Sequence, residues 1–169
     1  MLAVSPLVGR AATRSSDSNK KFLSEAAAGG MMEVELGQLA QQQAASDEVK
    51  DFGQRMVSDH SKANDKLKEV ASEQNVTLPT SLSREHQRMV DKLRALKGTD
   101  FDRAYMSQMV KDHVEDVQKF QQATTKTSGP VRSFASETLP TLKEHLQLAK
   151  ETSAKVNAAT ASERKKTTD

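Results

Sequence analysis

Met56-Val57-Ser58-Asp59-His60 and Met109-Val110-Lys111-Asp112-His113 are two copies of one phrase, Met-Val-x-Asp-His. An aromatic residue stands four positions ahead of each Met, Phe52 in the first copy and Tyr105 in the second. Each copy sits in the middle of a long helical pattern. A fixed phrase recurring after roughly fifty residues points to two related helix pairs. It also sets one histidine on each of two helices at a similar depth, which raises the question of a buried metal site.

Working outward from these phrases, the spacing of apolar residues predicts helices and no strands, since no segment alternates with period two. The first helix is expected from about Ser18 to Ala45. Ser46 is placed to cap a second, with Asp47 and Glu48 in its favourable first turn, and this helix runs to about Gln74. The turn between them is short, so the two fold back antiparallel. Asn75 to Thr80 is a break containing Pro79, which cannot continue a helix interior. A shorter helix follows from about Leu82 to Lys97, with Gly98 placed to end it in the left-handed conformation. Thr99 or Asp100 is expected to cap a long helix from about Phe101 to Lys126. After Ser128-Gly129-Pro130 the last helix runs to about Val156, with Pro140 expected to kink or divide it. The fold class is therefore all-α: a ferritin-like antiparallel four-helix bundle over residues 18–157, with an extra short helix in the connection between the second and third long helices.

The chain ends carry no such pattern. Residues 1–17 read as a disordered N-terminus or as a signal remnant, and 158–169 as a disordered tail. The segment from Met1 to Ala12 resembles the back end of a secretory signal, with small residues where cleavage would fall but no basic region ahead of it.

Composition narrows the function classes. The 169 residues suffice for one domain with a core. Charged residues make up 28% and apolar residues 36%, a balance that suits amphipathic helices with one apolar stripe each. The net charge of +2 is spread along the helices with both signs interspersed, and aromatics are only 4%. Neither a phosphate-binding field nor a stacking platform is present, so no nucleic-acid partner is expected. No apolar run reaches transmembrane length. With no cysteine in the chain, thiolate ligands, disulfides and thiol nucleophiles are excluded.

Helical positions advance by about 100° per residue, which assigns a face to each polar group. On the first helix Phe22, Ala26, Gly29, Leu36 and Ala40 define the inward stripe, and Glu33 falls within it. His60 lies among Phe52, Met56, Ala63 and Leu67. His113 lies among Tyr105, Met109, Val117 and Phe120. His145 lies just beside a stripe of Phe134, Ala135, Leu139, Leu142, Leu146 and Ala149. All four are near the middle of their helices, so antiparallel packing brings them to one layer. An inward charge costs several kcal/mol unless it is paired or neutralised. The site expected is therefore a transition-metal centre of Glu33, His60, His113 and His145, with Zn, Cu or Fe as the ion; Asp59 and Asp112 either orient the ligands from behind or are rim residues that bond Lys or Arg. The competing reading is a structural or interaction protein whose buried groups form only a hydrogen-bond network, His60 with Glu33 and His113 with Asp112 or Asp116.

Di-iron bundles place Glu three residues ahead of His. Here those positions are Val57, Val110 and Leu142. Inward carboxylates are too few for such a centre, and a mononuclear site fits better. His86, among polar neighbours, reads as a surface residue. No phosphate loop, nucleophile elbow or His-Glu-x-x-His motif occurs, so no catalytic residue is assigned.

The stretch from Phe22 to Gly37, with Glu25-Ala26-Ala27-Ala28-Gly29-Gly30-Met31-Met32-Glu33 at its centre, resembles the opening of a bacterial family of unknown function. The two Met-Val-x-Asp-His phrases, Phe101-Asp102 with Tyr105, and Leu139-Pro140-Thr141-Leu142-Lys143-Glu144-His145-Leu146 are similar to its later motifs. The similarity covers about residues 18–150. Members are often labelled outer-membrane or periplasmic proteins. The resemblance implies a ferritin-like bundle and export to the envelope, with a soluble periplasmic protein the better fit because nothing here spans a membrane. The resemblance supplies no activity; for a bundle that binds a metal through Glu33, His60, His113 and His145, the role expected is metal handling or envelope stress protection.

Overall fold

The computed structural model describes the backbone of residues 8–166 and the side chains of residues 16–161. Its helices are α1 (Val8–Gln43), α2 (Asp47–Glu73), α3 (Arg84–Arg94), α4 (Gly98–Lys126) and α5 (Gly129–Lys166), with no strand among the described residues. The all-α class holds, with a short helix in the long connection.

Two buried polar side chains lock the ends of the bundle. At one end the Asp102 carboxylate, 2% exposed, accepts from the backbone N–H of Ala45 (3.1 Å) and of Ser46 (2.9 Å), so the α1–α2 turn sits on the start of α4. At the other, Asn19 accepts from Ser128 N–H (3.1 Å) and donates to Gln74 (3.4 Å), tying the first part of α1 to the end of α2 and to the α4–α5 turn. These anchors fix direction: α1 and α5 run one way, α2 and α4 the other. The packed pairs are α1–α2, α4–α5, α2–α5 and α1–α4. Every neighbouring pair is thus antiparallel, and α2 and α4 stand at diagonal corners. The chain from 74 to 97 carries α3 back along α1 to reach the start of α4.

This geometry corrects one inference from the repeated phrase. Its copies lie on α2 and α4, which are the second helix of one hairpin and the first of the other. They are related as diagonal, parallel helices and not as equivalent members of two helix pairs. Equal depth follows all the same.

Helix ends differ from expectation where backbone geometry outweighs the side-chain signal. α1 already starts at Val8, so residues 8–17 are helical, while 1–7 of the expected signal remnant lie outside the described residues. α5 continues to Lys166, past the expected tail boundary. Ser46 takes an extended conformation at the start of α2, but its hydroxyl bonds Glu48 at 2.6 Å and caps no backbone N–H. Ser83 does cap α3, accepting from His86 N–H at 3.1 Å. Gly98 adopts φ +61° as expected, yet it begins α4; α3 has already stopped at Arg94. Pro140 does not divide α5. It lies on the exposed side of the helix, where the carbonyl it leaves without a helical N–H faces water.

The apolar core comes in two halves. One, at the Asp102 end, contains Leu36, Phe52, Met56, Phe101, Tyr105, Met109 and the α3 residues Val90 and Leu93. The other, at the Asn19 end, contains Phe22, Leu23, Leu67, Val70, Phe120, Phe134 and Leu142. Along α2, α4 and α5 the residues between these halves are His60, His113 and His145.

Close approach of α1 to α2 depends on glycine. A Cβ on Gly37 would stand 2.6 Å from the Gly53 carbonyl oxygen and 2.9 Å from Val57 Cγ2. One on Gly29 would meet nothing within 4 Å. Gly37→Ala should therefore destabilise by about 1–3 kcal/mol through overpacking, and Gly29→Ala should stabilise by about 0.5–1 kcal/mol through helix propensity. Urea denaturation in chelator measures both, and equal effects would contradict the packing described.

Candidate metal centre

The three histidines come from three helices and meet. Their ring centroids are 5.7 Å (His60–His113), 5.4 Å (His60–His145) and 5.4 Å (His113–His145) apart. One ring nitrogen from each lies within 4.8 Å of the others. Exposure is 6% for His60, 0% for His113 and 1% for His145. His145 lies inside the buried stripe of α5 and not beside it. That stripe is Val131, Phe134, Ala135, Leu142, His145, Ala149, Thr152 and Val156, with Leu139 and Leu146 only half-buried.

Hydrogen bonding sets the tautomers. His113 Nδ1 lies 2.9 Å from the Met109 carbonyl oxygen, one turn back. A carbonyl only accepts, so Nδ1 carries the hydrogen and Nε2 is left with a bare lone pair. His145 Nε2 lies 2.9 Å from Asp59 Oδ2. The carboxylate accepts, which leaves the lone pair on Nδ1. His113 Nε2, His145 Nδ1 and His60 Nε2 are buried without a hydrogen-bond partner among the described residues.

Burial governs the charge state. Desolvation, with repulsion from the other two imidazoles, pushes the pKa of His60 down to about 3. Desolvation, with the charge of His145, brings His113 down to about 4. Desolvation also lowers His145, partly opposed by its bond to Asp59. All three rings are neutral at pH 7, and the His145–Asp59 contact is a hydrogen bond, not an ion pair. For Asp59, burial pushes upward, but bonds from His145 and from Arg55 Nε (3.2 Å) outweigh it and hold the carboxyl low.

Glu33 does not join the histidines, and the expected four-ligand set becomes three. Its side chain is 1% exposed with both oxygens unpartnered, and it shares a cavity with Asp112 and Asp116 on the α1–α4 side. Desolvation, then the charges of these two aspartates, raises its pKa well above the usual carboxyl value. The pairs expected of a hydrogen-bond network, His60 with Glu33 and His113 with an aspartate, are not formed. Asp59 contacts a histidine; Asp112 instead accepts from Gln108 at 2.8 Å and touches none. Burial brings the Asp112 pKa to about 6.

Sequence reading missed His86. It is half-buried, its Nδ1 is enclosed without a partner, and it lines the cavity with Glu33. The signal was present: His86 precedes Val90 and Leu93 by four and seven positions, on the apolar stripe of α3.

The fold and this cluster define an all-α bundle with a buried three-imidazole centre. The chain belongs to the family described as "Domain of unknown function (DUF4142)", whose model matches residues 5–152. Comparison with curated proteins returns no match. Among solved structures, the chain is similar to a candidate secreted protein, DUF305, from Streptomyces coelicolor. The identity is 14%, the TM-score 0.69, and the match covers 86% of this chain and 96% of that one. At that identity the likeness is one of fold.

Two pH dependences follow. In the unfolded chain a histidine titrates at about 6.5, but in the fold burial takes His60 down to about 3 and His113 to about 4, and lowers His145 as well. The unfolded state therefore binds more protons below that point. Stability should fall as pH drops from about 6.5 towards 4, by up to about 1.4 kcal/mol per pH unit per histidine. Urea midpoints in chelator check this, and a flat profile between pH 7 and 4.5 would refute it. Glu33 acts oppositely. Its raised pKa keeps it protonated in the fold while the unfolded carboxyl ionises above about 4.3, so stability is lost as pH rises. Glu33→Gln should therefore stabilise the metal-free protein more at pH 8 than at pH 5, measured by thermal melting.

Proposed function

We propose that the protein binds one transition-metal ion through His60 Nε2, His113 Nε2 and His145 Nδ1, and serves in metal handling. One observation carries this reading: three buried imidazoles converge, each has a ring nitrogen without a hydrogen-bond partner among the described residues, and for two of them the opposite nitrogen is already committed to an acceptor. That is the arrangement by which metal-binding histidines are held in the right tautomer. A purely structural layer would gain by using those nitrogens in hydrogen bonds, since each one left buried and unpaired costs about 1–3 kcal/mol.

The donor set suits Zn, Cu or Fe. Bonds of about 2.0–2.1 Å to zinc would draw the three nitrogens closer than the 4.8 Å limit within which they now lie. Rotation of His60 can supply the adjustment, because its Nε2 has no hydrogen-bond partner among the described residues. Asp59 would orient His145 and balance part of the added charge. A bound ion supplies a Lewis-acidic centre; no substrate-binding residues are assigned beside it.

Two antiparallel hairpins joined by a long crossing connection support a ferritin-like bundle. The likeness to a candidate secreted protein, with no helix among the described residues long and apolar enough to cross a membrane, supports export to the periplasm.

Chelator-treated protein should take up one equivalent of Zn2+ or Cu2+ and melt at a higher temperature; at a hundredfold excess over Kd the gain is about 2.7 kcal/mol. His60→Ala should fold and lose the metal. Asp59→Asn should weaken binding by about 10- to 100-fold. Elemental analysis and calorimetry read these outcomes. Absence of stoichiometric uptake across Zn, Cu, Fe, Mn and Ni would leave the histidines as a structural layer.

A further inference from the structure

A second set of unpaired polar atoms faces a cavity of about 190 Å3 between α1, α3 and α4. Glu33 is almost fully enclosed there with both carboxylate oxygens free of any partner, and Asp112 Oδ2 and His86 Nδ1 are buried in the same condition. Asp116, Glu115 and Glu25 complete the acidic wall. Among the described residues Lys119 is the one ammonium at the cavity, and it bonds Asp116 Oδ1 at 3.0 Å. Carboxylates thus outnumber ammonium groups, and Glu33 itself meets none.

The placement of Glu33 follows from the repeat. A two-fold relation along the bundle axis exchanges α2 with α4 and α5 with α1. It carries Arg55, which donates to Asp59, onto Gln108, which donates to Asp112. On the α2 side Asp59 faces His145 and bonds it. On the α4 side the corresponding Asp112 faces Glu33, an acid against an acid, and no bond forms.

We propose that this cavity is a second cation site, in which Glu33, Asp112 and Asp116 hold a hydrated divalent ion of the hard class, with His86 at its edge. Oxygen donors and retained water suit Mn2+, Mg2+ or Ca2+ and distinguish this site from the imidazole centre. Among the described residues only the three histidines gather three ligand atoms within 4.8 Å of one another, so water completes the shell at the carboxylates. The cavity has room for several waters. Binding releases the proton that burial keeps on Glu33 in the metal-free fold, and the ion then supplies the positive charge facing Glu33 and Asp112.

Mn2+ is the probe, added to full-length, chelator-treated protein at pH 7.5 and followed by electron paramagnetic resonance. Wild type and His60→Ala should each bind one Mn2+ with equal affinity. Glu33→Gln and Asp116→Asn should each bind it about tenfold or more weakly, while still taking up Zn2+ at the histidines. Asp116 is partly exposed, so its variant tests the site even if replacing Glu33 perturbs folding. The proposal is overturned if wild type binds no Mn2+, if neither carboxylate variant weakens binding, or if His60→Ala abolishes it, which would assign Mn2+ to the imidazole centre. Loss of Zn2+ uptake by wild type alone would instead count against the three-histidine reading and leave this one standing.

Discussion

The structure is organised by the desolvation of three imidazoles at the waist of the bundle. Between the two apolar halves, α2, α4 and α5 each present a histidine where a Leu or Met would serve stability better. Withdrawal from water keeps the rings neutral. Neutral rings can stack edge to face at aromatic distances, and two of them use one nitrogen each for a hydrogen bond. The inward nitrogens are what remains. Any single ring could be an ordinary core histidine; the convergence of three rings, each with a buried nitrogen unpartnered among the described residues, is what separates this waist from a packing detail.

The layer is coupled to the surface by a short chain of charges. His145 donates to Asp59 at 2.9 Å, Arg55 donates to Asp59 at 3.2 Å, and Arg55 reaches Glu144 at 3.0 Å. Asp59 is the member that matters, because it touches the buried ring and is partly wet at once. An exposed ion pair such as Arg55–Glu144 adds little by itself. Its effect is to hold Arg55 beside Asp59, which keeps that carboxylate charged and His145 in one tautomer. Positive charge arriving at the imidazoles would therefore meet a counter-charge already in place.

Much of this was legible in the sequence for a physical reason. Helical period alone put His60, His113 and Glu33 on inward faces, and the Asp59-His60 offset of about 100° placed a carboxylate towards the next helix. What could not be read was which neighbour each face meets. Glu33 is as buried as its stripe implied, yet α1 aims it at the α4 edge, and that depends on helix order around the square. His145 reads as lying just beside the stripe because Leu139 and Leu146 widen it towards one side, whereas the buried face runs through Val131, Leu142, His145, Ala149 and Thr152. The N-terminal extension of α1 escaped notice because residues 8–17 carry few large apolar groups, leaving period analysis with nothing to register.

The repeated phrase acquires a sharper meaning from the packing. Asp-His on α2 and Asp-His on α4 turn their histidines to the same axis and their aspartates to opposite flanks. The flank of α2 is occupied by α5, which offers His145; the flank of α4 is occupied by α1, which offers Glu33. One dipeptide thus makes a nitrogen-donor centre with one neighbour and an oxygen-lined cavity with the other. The difference lies in a single partner residue on each flank. If the chain had His at position 33, Asp112 would gain the bond that Asp59 has, and the carboxylate cavity would lose its most deeply buried acid. The asymmetry between His145 and Glu33, more than the symmetry of the phrase, gives the waist two chemically distinct sides.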